Sequence, residues 1–189
     1  YIGKLLYLCS NECMVNQIFA EQLIKDNTHI LIFNKANTTK TKWLSYSIFW
    51  NLFRFQDIRN SIQENFVLRI LNNFDDIIIM NDPTVFNVYI GCLSNIALRD
   101  EFKPLINNMI INLNINQLEP LFVIIPDRLP LFTSFFGLLC NIGVDDDLVK
   151  LFIESEMFHY IFENWNEIIN LDINILPTSI IINNNLSLL

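Results

Sequence analysis

The chain has 189 residues, 52% of them hydrophobic and 16 of them Phe, with only 17% charged and a net charge of −8. That is enough length and apolar content for a sizeable core, and it excludes a disordered chain, which needs few apolar residues and high charge. It also argues against a helical membrane span of roughly 20 apolar residues: the charge-free stretches Leu129–Val144 and Ile173–Leu189 are broken by Pro130 and by several Asn.

Taken in order, the chain opens at Tyr1 with one Lys and no leader-like pattern. Cys9 and Cys13 follow four apart, on one face if the stretch is helical. With Cys92 and Cys140 they form no C-x-x-C pair and have no His nearby in sequence, so all four read as reduced, mostly apolar positions. That usage suits the cytosol or nucleus. Asn34–Lys42, rich in Asn, Thr and Lys, reads as the most mobile loop.

A helix is expected over Lys42–Phe53, and it carries a phrase, Ser47 to Phe53, that returns. The phrase recurs at Gly91–Ala97 on a helix Thr84–Leu98, at Gly137–Gly143 on a helix Leu131–Gly143, and in truncated form at Ile181–Ser187 on a helix from Thr178 onward. In each copy an Asn (Asn51, Asn95, Asn141, Asn185) precedes an aliphatic residue, and the steps are 44, 46 and 44 positions. A fixed period of that size is the signature of a helical repeat array. Pro83, Pro130 and Pro177 mark helix starts, most clearly in Asp82-Pro83-Thr84, where Asp is the N-cap and Pro the first helical residue.

After each phrase a short helix is expected, near Asp57–Glu64, Asp100–Asn107 and Asp146–Ser155, with acids at its N-terminus to complement the dipole. A longer amphipathic helix follows, over Phe66–Phe74, Met109–Leu118 and Met157–Ile169, and then the loops Asp75–Pro83, Glu119–Pro130 and Asn170–Pro177. The aliphatic runs Ile77–Met80 and Phe122–Ile125 look strand-like, but the period places them at or just past a helix end that a neighbouring unit covers. Stepping 44 back from Leu52 lands on Leu8, with Met14, Ile18 and Ile24 at the matching offsets. The expectation is one continuous domain over 1–189, a segment of a longer array that starts and ends within a repeat.

Three helices per unit of about 44 residues, closed by an Asn–aliphatic pair, resemble the armadillo repeat, and Cys92–Ala97 is similar to its signature. HEAT-type units share the pattern. The resemblance implies an all-α, right-handed superhelical solenoid of about four units, with the third helices lining a concave groove. In the importin-alpha-type members the signature Asn form a ladder that grips an extended peptide, because one amide offers both a donor and an acceptor to a main chain. Carried over, that ladder is Asn51, Asn95, Asn141 and Asn185. A competing reading has the same Asn holding the backbone of the next unit. Arg99 and Asp145, polar residues at the openings of the short helices, complete the candidate partner-binding set.

The family's Trp, four residues before the Asn, is replaced here by Ser47, Gly91, Gly137 and Ile181. The Gly pair, at the same phase, points either to close helix packing or to a groove floor left bare for a ligand group. Trp50, about 100° around the helix from Asn51, reads as a core residue.

No phosphate loop, nucleophile elbow or His-Glu metal spacing appears, His29 and His159 lie apart, and Asp145, Asp146 and Asp147 read as helix capping rather than a cation site. No enzyme activity and no cofactor are expected. Residues 1–71 hold 8 basic and 5 acidic side chains, 72–144 hold 3 and 7, and 145–172 hold one Lys against eight acids. Nucleic-acid binding needs clustered Lys and Arg and is not expected; the acidic C-terminal units favour basic protein partners. The expected function is a protein–protein interaction module that binds an extended peptide or a partner protein. The alternatives are a scaffold segment of a large assembly and a nuclear-import adaptor for basic signals.

Overall fold

The computed structural model describes residues 2–112, 129–143 and 146–154, and these are all-helical, with no strand among them. In order come α1 (Ile2–Val15), α2 (Gln17–Lys25), α3 (Thr28–Lys35), α4 (Thr39–Arg54), α5 (Gln56–Ser61), α6 (Glu64–Leu71), α7 (Phe74–Met80) and α8 (Pro83–Ile96). A 3-10 turn at Asp100–Phe102 leads into α9 (Lys103–Ile111), and α10 (Leu129–Ile142) and α11 (Asp146–Ile153) follow.

Local chemistry sets the ends of the phrase-bearing helices. Asp82 caps α8 as expected: its Oδ1 accepts from Thr84 N at 2.9 Å and Val85 N at 3.0 Å, with Pro83 in the first turn. At α4 the loop expected over Asn34–Lys42 is cut short. Thr38 and Thr41 form a reciprocal capping box, so helix begins at Thr39 and only a few residues separate it from α3. Gly143, at φ +79°, stands just past α10 in the left-handed region that favours glycine.

Two other boundaries differ from expectation. The segment expected as a loop from Asp75 contains α7: Asp75 and Asp76 sit in its first turn, Ile77 and Ile78 are buried, and Asn81 closes it at φ 49°. The strand-like run Ile77–Met80 is therefore helical. In the middle unit no break separates the expected helices at 107 and 109, because α9 runs through both positions. The expected run Phe122–Ile125, the helix Met157–Ile169, and everything from Asn170 on lie outside the described residues.

The four phrase-register helices pack in sequence, α1 on α4, α4 on α8 and α8 on α10. They run parallel. Gly3 lies beside Lys40 and Leu44, Ser10 meets Ser47 at 2.8 Å, and Met14 meets Arg54. Farther along, Tyr46 stacks edge-on to Tyr89 at 4.9 Å, and Asn87 and Ser94 meet Ser134 and Asn141. The intervening short helices return the chain for each parallel step. Between the long helices lies the core, with Ile48, Phe49, Leu52 and Phe53 of α4 facing Phe86, Tyr89, Ile90 and Leu93 of α8. Buried Tyr89 donates its hydroxyl to Ile70 O at 2.9 Å, which ties α8 to the end of α6.

The first step does not follow the 44-residue extrapolation. Leu8, Met14 and Ile18 are exposed, whereas Leu6, Ser10 and Cys13 face α4. Ser10 makes the contacts that Trp50 and Ser94 make one step on, so the residue in register with Asn51 is Asn11, 40 positions earlier.

Candidate functional site: the asparagine seam

Each phrase Asn that the structure describes is half-buried at the seam with the preceding long helix. Asn51 Nδ2 donates to Ser10 O at 3.1 Å, Asn95 Nδ2 to Trp50 O at 2.8 Å, and Asn141 Nδ2 to Ser94 O at 2.9 Å. The acceptor is always the carbonyl one residue before the register position of the preceding Asn. A carbonyl within a helix has a second lone pair beyond its ladder bond, and the amide uses it. The amide nitrogen of each Asn therefore stitches helix to helix, with Asn51 and Asn141 also donating to the Ser10 and Ser94 hydroxyls at 3.4 and 3.0 Å, while the amide oxygens receive no hydrogen bond from the described residues. Asn185 and Asp145 lie outside those residues.

The position four before the Asn completes the seam by letting the helices approach. Ser47 Oγ lies 2.8 Å from Ser10 Oγ. Gly91 supports the Trp50 indole so closely that a Cβ there would stand 2.5 Å from the ring. Among the described residues Gly137 meets Ser94 Oγ, 3.7 Å from where a Cβ would be, an ordinary contact. Close packing thus explains Gly91, while Gly137 is under no such constraint from the described residues. Trp50 is half-buried against the core, with its ring covering the glycine.

Removing one stitch should cost little more than one hydrogen bond. Asn95→Ala is expected to destabilise the fold by about 1 kcal/mol, read as a lower urea midpoint at unchanged slope. No shift in the midpoint would show that water replaces the amide without loss.

Beside the seam, three arginines clamp helix C-termini. Arg54 Nη2 donates to Met14 O in the last turn of α1, and Arg59 Nη1 to Phe53 O at 2.9 Å at the end of α4. Arg99 Nη1 reaches Arg59 O at 3.0 Å and Ile62 O at 3.1 Å at the end of α5. A guanidinium suits these sites because carbonyls at a helix C-terminus are unpaired and carry the negative end of the dipole. Arg99 also pairs with Glu101 and stacks 4.6 Å over Phe102, and only 14% of its side chain is exposed. Burial, and then the neighbouring Arg99 charge, hold the Arg59 guanidinium below its ordinary pKa.

Other titratable groups are used structurally. His29 is buried, edge-on to Phe66 at 4.8 Å, with Nδ1 3.3 Å from Leu23 O. A carbonyl only accepts, so Nδ1 carries the proton. Burial lowers the His29 pKa, against the opposing effect of the Leu23 hydrogen bond. The folded state therefore favours neutral imidazole: its contribution is complete above the unfolded value of about 6.5 and is lost as pH falls below it. Melting temperature should drop between pH 7.5 and 5.5, and His29→Gln should flatten that slope. A slope unchanged in the variant would assign the pH dependence elsewhere.

Cys13 is fully buried, and that burial, with Cys9 and Glu12 adding, pushes its thiol up to about 12. Burial raises the Cys92 thiol as well. Asp146 and Asp147 are exposed in the first turn of α11, as capping acids should be. No His, Cys, Asp and Glu cluster suited to a metal occurs among the described residues, and no helix there is long and apolar enough to cross a membrane. A cleft of about 410 Å³ opens between α6, α7 and α9, lined by Leu68, Leu71, Phe74, Leu105 and Met109 with Asn72 and Asp75 at its rim.

The seam residues that sequence reasoning missed are Ser10, Asn11, Arg54 and Arg59. Ser10-Asn11 carries a faint signal, since it matches Ser94-Asn95. Comparisons of the chain with family models, curated proteins and solved structures find no match.

Proposed function

We propose that the chain is an armadillo-like, right-handed helical solenoid of about four units and acts as a non-enzymatic protein–protein interaction module. The asparagine seam is its binding face, and an extended peptide its ligand. One observation carries the reading: Asn51, Asn95 and Asn141 stand at the same register on three successive parallel helices, each with its Nδ2 bonded to the preceding helix. That bond fixes the plane of each amide, so a row of oriented oxygens is available to the N–H groups of an extended chain, with little side-chain entropy left to lose. Trp50 packs on Gly91 rather than standing as a free shelf, so a peptide backbone fits this face better than a lysine-rich import signal does.

The test is selection of binders from a random extended-peptide library on the whole protein, followed by NMR of the Asn side-chain amides. Selected peptides should shift the Asn51, Asn95 and Asn141 resonances, and N-methylation of alternate peptide amides should abolish binding. Binders that map elsewhere, or that tolerate N-methylation, would overturn the proposal.

A scaffold role has its own support in the apolar residues that α1 exposes, among them Leu5, Leu8 and Val15. Large exposed apolar patches mark association surfaces.

A further inference from the structure

Helix α1 is apolar on both sides. One stripe, Leu6, Ser10 and Cys13, is buried against α4. The opposite stripe carries Leu5 at 60%, Leu8 at 55% and Val15 at 75% exposure, with Lys4, Asn11 and Glu12 also exposed beside them. Exposed apolar side chains grouped on one face mark an association surface, so this outer stripe calls for a cover.

A further parallel helix in the same stack fits poorly. Each seam has a small residue, Ser47, Gly91 or Gly137, at the position four before the Asn, and at Gly91 the fit leaves no room for a Cβ. In α1 that register position is Tyr7, four before Asn11, and it is exposed. A phenol there blocks the close approach the other steps use.

The charges point to a different cover. Lys4 and Glu12 lie four residues before and four after Leu8 on the outer face. A two-fold axis through Leu8 would therefore set Lys4 of one copy against Glu12 of the other, twice, and Leu8 against Leu8. Self-complementarity of this kind is what an isologous interface requires. We propose that α1 is the interface of a homodimer, paired antiparallel with α1 of a second copy, leaving Asn51, Asn95 and Asn141 free.

The test is sedimentation equilibrium of the whole protein over a concentration series. The expected result is a monomer–dimer equilibrium, weakened by salt. Leu8→Glu sets two carboxylates at the axis and should raise the dissociation constant by at least about tenfold. Lys4→Glu should weaken the dimer, and Lys4→Glu combined with Glu12→Lys should restore it. These side chains are exposed, though Glu12 accepts from Asn16 Nδ2 at 2.7 Å, so helical circular dichroism and melting of each monomeric variant are read alongside and separate lost association from lost folding. A monomer at all concentrations, a dimer indifferent to Leu8→Glu, or a charge swap without rescue would each overturn the proposal, and so would a folded monomer that α1 variants merely make more soluble.

Discussion

Gly91→Ala should destabilise the protein by about 1 kcal/mol, while the same change at Gly137 should be neutral or stabilising by up to about 1 kcal/mol. Both glycines lie in mid-helix at the same register, so the propensity gain from Ala, up to about 1 kcal/mol, is common to them. What differs is the neighbour. A Cβ at 91 would meet Trp50 ring atoms at 2.5, 2.6 and 3.0 Å, and either the indole or α4 must move. Overpacking of this kind costs about 1–3 kcal/mol and can exceed the propensity gain. At 137 the nearest atom is Ser94 Oγ at 3.7 Å, an ordinary contact. Urea unfolding of the two variants, with Trp50→Ala and the Trp50→Ala, Gly91→Ala pair, checks the mechanism. Ala at 91 should cost far less once the indole is gone. Equal effects at 91 and 137 would mean that the α4–α8 seam has slack the contact distances do not show.

Arg99→Met should cost about 2–3 kcal/mol, and Arg99→Lys should recover only part of it. Hydrogen bonds from a charged donor are worth more than neutral ones, and removing this donor leaves the Arg59 and Ile62 carbonyls without it. Lysine keeps the charge but not the planar fork that serves two carbonyls and Glu101 at once. Full recovery by Lys would show that charge near the helix end suffices. The expected partner-binding role of Arg99 is compatible with this clamp only through its edge near Glu101, since the rest of the guanidinium faces main chain.

The phrase-bearing helices were legible because Asn–aliphatic pairs at steps of 44 and 46 are a local pattern, and the helices around Asn51, Asn95 and Asn141 appear where that pattern puts them. The first step was not legible. Its spacing is 40, and the residue after Asn11 is Glu12, which breaks the aliphatic rule because nothing covers it. The seam bonds were legible in kind, as the reading in which each Asn holds another unit's backbone, but the bonds run to the preceding helix, and their acceptors were hidden because they are main-chain carbonyls of Ser10, Trp50 and Ser94, which every residue has and no sequence marks. The match of Trp50 to Gly91 could have been read from a large residue facing a small one a repeat away. Helix α7 was missed because Ile77, Ile78 and Ile79 in a row suit a strand as well as a helix, and only Ile79 faces outward.

Each seam bond joins a long helix to the one before it, so α1, α4, α8 and α10 are coupled pair by pair, link after link. Damage at one link should then stay near it: a fault at Gly91 would let the segment through α4 and the segment from α8 exchange amide hydrogens at separate rates, instead of melting together.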